Sequence, residues 1–169
     1  MKKIIVIGCP GSGKSTFSRE LHKITKIPLV HLDMLFWNED KTTVERFVFL
    51  KKLEDALKKS HWIIDGNYAS TMEMRLKECD TVFFLDYEKE VCLKGIEERR
   101  GKNRPDMPWV ETEEDTEFIN FIETFNTQSR PQIQIMELLE KYSDKKLFVL
   151  KNREEADKFL RDFKININQ

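Results

Sequence analysis

The run Gly8-Cys9-Pro10-Gly11-Ser12-Gly13-Lys14-Ser15 narrows what this chain can fold into more than any other feature. It fits G-x-x-x-x-G-K-[ST] and lies between an apolar run, Ile4-Ile5-Val6-Ile7, and an amphipathic stretch that starts at Lys14. The first reads as a buried strand and the second as a helix. A strand before and a helix after distinguish a phosphate-binding loop from an ordinary Gly-rich turn. Backbone N–H groups of such a loop would wrap a β-phosphate. Lys14 would bridge β- and γ-phosphates, and the Ser15 hydroxyl would bind Mg²⁺. Gly8, Gly11, Ser12, Gly13, Lys14, Ser15 and Thr16 are therefore the candidate contacts to a nucleoside triphosphate.

At 169 residues, one domain is expected over 1–169, large enough to bury a core without staples. Charged residues make up 35% of the chain, yet the net charge is −1. That balance gives no electrostatic case for a nucleic-acid footprint. The cysteines, Cys9, Cys79 and Cys92, have no metal-ligand spacing, and their odd number argues against a disulfide framework. A reducing cytoplasm fits that usage. Cys9 reads either as a filler at a variable loop position or as a reactive thiol beside positive charge. Lys2-Lys3 followed by Ile4–Ile7 is too short for a signal peptide, because the apolar run stops at Gly8. No apolar stretch approaches the ~18 residues of a membrane span. With no evident apolar patch, a monomer is expected.

Hydrophobic patterning places further strands at 28–33, 62–65, 81–86 and 147–150. Helices are predicted over 14–26, over 44–59 with Phe47, Leu50, Leu53 and Leu57 inward, over 72–77 and over 90–100. A basic, Pro-containing loop spans 101–112. Thr112-Glu113-Glu114-Asp115 reads as a capping box for a helix carrying Phe118, Phe121, Ile122 and Phe125. Pro131 should break or restart that helix, and Ile135, Leu138, Leu139 and Tyr142 continue an apolar face. Asn152-x-x-Glu155 caps a last helix, with a frayed tail from Lys164. Strands alternating with helices make this an α/β chain, with a parallel sheet wrapped on both faces.

Ligands of such sheets sit at the carboxyl ends of the strands, and three strands here end in Asp: Asp33, Asp65 and Asp86. Asp65 follows an apolar strand and precedes Gly66, as a Walker-B carboxylate that holds Mg²⁺ would. Asp33 would face a phosphoryl acceptor, orienting its hydroxyl or acting as base. Asp86 reads as structural. The segment Leu35-Phe36-Trp37 opens an acceptor flap over about 34–60 and could stack a ring or simply pack in the core. His31 reads as a packed strand residue. Arg99, Arg100, Lys102, Arg104 and later Arg130 are basic, and the lid, about 100–112, would offer Arg100 and Arg104 to the transferring phosphate. Arg75 reads as an acceptor-phosphate contact or a surface ion-pair partner.

The loop near residue 10, the strand ending in Asp33, Asp65-Gly66 and an Arg-rich lid near residue 100 together resemble the adenylate kinase-like and shikimate kinase-like small-molecule kinases. His31-Leu32-Asp33-x-Leu35-Phe36-Trp37 and Trp62-Ile63-Ile64-Asp65-Gly66-Asn67-Tyr68 are similar to the FlaR-related topology modulation proteins, a branch of that superfamily. The resemblance implies a P-loop NTPase fold with a five-stranded sheet of order 2-3-1-4-5. It also implies ATP with Mg²⁺ on the loop and a small-molecule acceptor between flap and lid. Lys14 and Ser15 match the donor site, Asp65 the Walker-B position, Arg104-Pro105 the lid Arg-Pro of shikimate kinases, and Arg130 the arginine after the lid. Where adenylate kinases carry an Arg soon after Asp-Gly-Phe-Pro, this chain has Asn67-Tyr68, so the acceptor-phosphate arginine is missing. The expected activity is ATP/Mg²⁺-dependent phosphoryl transfer to a nucleotide or other small-molecule acceptor, with Lys14, Arg104, Arg130 and Asp33 carrying the chemistry. The alternatives are a nucleotide-binding regulator that acts through a partner and an ATP-hydrolysing switch. The switch lacks an evident residue to orient water.

Overall fold

Five short apolar runs become the five strands of one sheet. The computed structural model describes residues 1–113, 115–125 and 130–167. In chain order these form β1 (Lys3–Gly8), α1 (Lys14–Thr25), β2 (Leu29–His31), α2 (Leu32–Phe36), α3 (Arg46–Leu57), β3 (Trp62–Asp65) and α4 (Ala69–Glu78). The second half adds β4 (Thr81–Leu85), α5 (Lys89–Arg99), α6 (Thr116–Phe125), α7 (Arg130–Lys141), β5 (Lys146–Leu150) and α8 (Arg153–Ile167). All strand pairs are parallel, in the order β2-β3-β1-β4-β5.

Parallel neighbours need right-handed crossovers. The step from β1 to β2 runs one way across the sheet, and the later steps run the other way. This places α1 on one face, where it meets α8, and puts α4 and α7 together on the opposite face. With both faces covered, β3, β4 and nearly all of β1 are buried, which is why they read as unbroken apolar runs. On the α1/α8 face, Phe83 meets Phe17, Phe148 and Phe159 at centroid distances of 5.0, 4.9 and 4.9 Å. Such ring pairs each add about 0.5–1.5 kcal/mol beyond their buried area.

Several local expectations shift. β2 stops at His31, and the next residues turn into α2, so Asp33 lies in the first turn of a short helix rather than at a strand end. In α3 the inward face is Phe49, Leu53, Ala56 and Leu57, while Phe47 is 72% exposed. Leu53 and Leu57 are inward as expected and Leu50 is half-buried; the departure is confined to Phe47 in the first turn. The cap of α6 is Asp115, whose carboxylate accepts the Phe118 N–H at 3.0 Å, so the chain turns helical later than a box at Thr112 would allow. Pro131 is the second residue of α7, in a first turn where a missing N–H costs little. Asn152 caps α8 as expected, accepting the Glu155 N–H at 2.9 Å, while the Glu155 carboxylate takes the Lys151 N–H at 2.8 Å. Helix α8 runs on to Ile167, so the tail does not fray at Lys164. Asp86 is structural, held by Lys151.

No described helix is long and apolar enough to cross a membrane. Ile133 and Met136 of α7 and Leu147 and Val149 of the edge strand β5 are exposed, an apolar grouping that the sequence does not reveal.

Helix α5 approaches the β1–α1 loop through two glycines. A Cβ on Gly11, whose φ is +84°, would strike the Cys92 carbonyl, and one on Gly95 would strike the Gly11 carbonyl. Both obstacles are backbone, so neither can swing aside. Gly95→Ala is expected to destabilise the fold by about 1–3 kcal/mol, the usual cost of overpacking, and to weaken nucleotide binding by displacing the loop. Urea denaturation with a parallel binding titration checks both; an unchanged midpoint would show that α5 yields without strain.

Candidate active site

The β1–α1 loop is fixed from beneath. The side chain of Asn67, just past β3, accepts the Gly8 N–H at 3.1 Å and donates to the Gly8 carbonyl at 2.8 Å. Gly8 is thus tied to the sheet, and its N–H is not available to a phosphate. The Ser12 N–H closes a turn onto the Cys9 carbonyl at 3.1 Å, and Lys14 Nζ donates to the same carbonyl at 3.1 Å. Gly13 caps α1 with φ +91°, a left-handed conformation suited to glycine, and no side chain caps that end. The first-turn N–H groups of α1 therefore point into open space, as an anion site requires.

A cavity of about 510 Å³ opens at the carboxyl ends of the strands, and Lys14, Ser15, Asp33, Asp65 and Arg100 all line it. A second depression of about 510 Å³ runs over the loop and brings Gly11, Ser12, Gly13, Thr16 and Arg104 together, sharing Lys14 and Ser15 with the first. Of the other sequence candidates, Gly8 lines neither cavity. Arg130 opens α7, but its side chain lies outside the described residues.

Asp65 ends β3 beside Val6 of β1 and is 4% exposed. Its Oδ2 bonds His31 Nδ1 at 2.7 Å, so His31 is an acid's partner and not merely a packed strand residue. Its Oδ1 is buried and has no partner among the described residues. A buried carboxylate oxygen left open in a cavity that also holds the Ser15 hydroxyl suits a hard cation. No described group of three or more His, Cys, Asp or Glu side chains could cage a metal. Mg²⁺ usually takes one or two protein ligands and fills its shell with water and phosphate.

Asp33 accepts the Tyr68 hydroxyl at 2.6 Å. Burial raises the Asp33 pKa above its ordinary value, opposed by that hydrogen bond. A carboxyl raised in the folded state costs stability wherever it is ionised, and the cost vanishes below the unfolded value of 3.8. Asp33→Asn is therefore expected to melt at a higher temperature than the parent at neutral pH, with the gap closing as pH falls to about 4. The same variant should lose transfer activity. Melting curves across that range test the sign, and a parent more stable than the variant at neutral pH would contradict it.

The aromatic segment after β2 splits between the two roles read from the sequence. Phe36 packs inward against Phe49 of α3 and Tyr68, at 5.4 and 5.1 Å. Trp37 faces the cavity and meets Trp109 from the lid edge-to-face at 5.7 Å. Lys41 Nζ lies 5.5 Å over the Trp109 ring.

The loop over 100–112, the expected lid, is tied down by ion pairs. Glu111 takes Arg99 at 2.6 and 2.7 Å and Arg104 at 3.6 Å, and its backbone carbonyl takes the Gly101 N–H at 2.7 Å. Asp106, 6% exposed, pairs with Arg19 of α1 at 3.2 Å and with Arg104 at 3.4 Å. Sequence reasoning saw the basic residues of this loop but missed the carboxylates that partner them. Asp106 and Glu111, following Arg99, Arg100 and Arg104 in one short segment, were the available signal.

Arg75 is neither an acceptor-phosphate contact nor a surface ion-pair partner. It is fully buried and donates to the carbonyls of Gly66 at 2.8 Å, Tyr68 at 3.2 Å, Thr71 at 3.4 Å and also Asn67. Burial pulls its pKa down to about 9. Cys9 is buried too, and its hydrogen bond with the Cys92 thiol, together with burial, holds its pKa above the thiol range. The filler reading of Cys9 stands; a reactive thiol does not.

Residues 4–120 match the AAA_18 family, described as an AAA domain. The shikimate kinase of Clostridium botulinum (strain Loch Maree / Type A3) is 33% identical over 131 residues, 70% of this chain and 76% of that protein. An adenylate kinase of Thermotoga maritima is 28% identical over 88 residues, 51% of this chain and 39% of that protein. Two crystal structures share the fold. A shikimate kinase from Bacteroides thetaiotaomicron has a TM-score of 0.58 at 17% identity, covering 98% of each chain. A gluconokinase from Sinorhizobium meliloti has a TM-score of 0.56 at 14% identity, covering 99% of this chain and 95% of that one. This chain belongs to the AAA_18 family and to the P-loop small-molecule kinases.

Proposed function

We propose that this P-loop kinase transfers the γ-phosphoryl of ATP to a hydroxyl of a small molecule, with Mg²⁺. One observation carries the reading: the loop lysine and serine share a single cavity with Asp65 and Asp33, and the lid covers that cavity. The α1 N-terminus and Lys14 bind the phosphates. Ser15 and Asp65 would hold Mg²⁺, which supplies charge neutralisation when bound. The acceptor lies between Trp37 and the lid, with its hydroxyl at Asp33. In transfer the acceptor oxygen bonds the γ-phosphorus as the bond to the β-bridging oxygen breaks. The hydroxyl proton passes to Asp33, whose raised pKa suits it to that role. Lys14 and the lid arginines, Arg100 and Arg104, would stabilise the charge that spreads over the moving group, a role also proposed for Arg130. The closed lid excludes water, so ATP is not lost to hydrolysis. The His31–Trp37 and Trp62–Tyr68 motifs support placement in the FlaR-related branch. The protein acts in the cytoplasm and without direct nucleic-acid binding, in keeping with its charge balance and cysteine usage.

The test is an acceptor screen. Protein, Mg²⁺ and γ-labelled ATP are mixed with nucleosides, nucleoside monophosphates and hydroxy acids. Label on one class establishes the transfer. ATP binding without transfer to any class would move the reading to a regulator.

A further inference from the structure

Lys14, Ser15 and Asp65 mark the donor end of the cavity, and the acceptor end lies around Asp33. The walls of the acceptor end are largely apolar: Trp37 of the flap, Met107 and Trp109 of the loop over 100–112, and Phe118 of α6. The two indoles, edge to face at 5.7 Å, form one wall. Among the described residues, the cations that line the cavity are Lys14, Lys41, Arg99 and Arg100. Lys14 and Arg100 are assigned above to the donor phosphates and the moving group. Arg99 is held by Glu111 at 2.6 and 2.7 Å and lies 5.8 Å from the Phe118 centroid. Lys41 is exposed, over the Trp109 ring. Arg75 does not line the cavity; its guanidinium is occupied by the carbonyls of Gly66, Asn67 and Tyr68. Against the single exposed Lys41, the carboxylates of Asp33, Glu111, Glu113 and Asp115 line the same space.

Such an end is built against anions. An acceptor phosphate is already ionised, so a carboxylate beside it only repels it. A carboxylate carried elsewhere on the acceptor would leave water for an apolar wall with no guanidinium to pair it. A hydroxyl, in contrast, has a proton to lose, and Asp33 can take it. Indole walls favour a flat ring. Resting on the phosphotransferase reading, we infer that the acceptor is an uncharged alcohol with a flat ring, of the nucleoside type, carrying neither phosphate nor carboxylate. Its ring lies against Trp37 and Trp109 and its hydroxyl at Asp33. The hydroxyl oxygen forms the new bond to the γ-phosphorus, the bond to the β-bridging oxygen breaks, ADP leaves, and the proton goes to Asp33.

The experiment uses pairs of compounds that differ by one anionic group: ribonucleosides against their 5′-monophosphates, and benzyl alcohol against mandelate. Transfer of label from γ-labelled ATP with Mg²⁺ is measured for each in the unaltered chain, so no variant's folding enters. For the preferred pair, kcat/KM should favour the uncharged member by at least about 30-fold, the low end of the penalty for leaving a buried charge unpaired. Trp109→Ala should then raise KM for that acceptor by about 10-fold, the scale of ring stacking on an aromatic side chain, with KM for ATP unchanged. A charged member that takes label as well as its uncharged partner overturns the inference and leaves the phosphotransferase reading standing. An unchanged acceptor KM in Trp109→Ala overturns the placement of the ring. Label on no compound at all, charged or uncharged, takes the phosphotransferase reading down with the inference.

Discussion

Lys14→Ala is expected to lower phosphoryl transfer by about 10²–10³-fold and to leave the fold intact. The two halves of that statement have separate grounds. The ammonium makes one described hydrogen bond, to the Cys9 carbonyl at 3.1 Å, and lines both the cavity and the groove over the loop. Truncation removes no core packing, so stability should move by no more than about 0.5 kcal/mol, as for an ordinary surface change. The loss in rate comes from charge that grows on the phosphates as the γ-group moves. An interaction stronger in the transition state than in the ground state appears in kcat, so kcat and kcat/KM should fall together while KM for ATP changes little. Single-turnover transfer of γ-label, beside a melting curve, separates these effects. A variant that keeps more than a tenth of parental transfer would sink the assignment of Lys14. A normal kcat with raised KM would reduce Lys14 to a ground-state phosphate contact.

The parts of the site legible in the sequence are those built from local pattern. A strand, a Gly-rich loop and a helix lie within residues 4–25, so the donor half is read from one segment. The strand order came through the family resemblance, and the sheet has that order. What the sequence hid are pairings made across distance. His31 and Asp65 meet because β2 and β3 pair with His31 opposite Asp65 in register. Asp106 reaches Arg19 only because the loop over 100–112 folds back over α1. Trp37 and Trp109 come from flap and lid, segments that no periodicity links. Where local reading failed, a competing local force can be named. In α3, Leu53 and Leu57 are inward as read, and the difference lies at the first turn, where Phe49 and not Phe47 is buried. The chain after β2 entered a helix at once, because the Leu32–Phe36 turn lets Phe36 reach Phe49 and Tyr68. Arg75 was misread for another reason. A lone arginine on a helix is ordinarily a surface group, and its targets here are carbonyls, which leave no trace in composition.

Arg75→Met should destabilise the protein by about 3–5 kcal/mol. The segment after β3 turns sharply: Gly66 has φ +135° and Tyr68 φ +35°. Its carbonyls therefore point inward, away from any strand partner, and the guanidinium answers those of Gly66, Asn67 and Tyr68 at once. Methionine fills much of the volume but offers no donor; the Tyr68 carbonyl keeps the Thr71 N–H at 2.9 Å, while those of Gly66 and Asn67 lose their donor, at about 1–3 kcal/mol each. Arg75→Lys should recover only part of the loss, since one ammonium lacks the planar fork that reaches several acceptors. The damage should spread to the site, because the same segment carries Asn67, which clamps Gly8, and Tyr68, which bonds Asp33. Loosening it moves the donor loop and the acceptor carboxylate together. For a domain of this size, about 3–5 kcal/mol corresponds to a melting temperature roughly 6–20 °C lower. Calorimetry on Arg75→Met, with urea unfolding as a second probe, decides between two roles. A guanidinium that serves the backbone gives a large fall in melting temperature. A guanidinium that serves an acceptor phosphate would leave the melting temperature within about 2 °C and raise only the acceptor KM. That second result would mean the buried pose opens during catalysis.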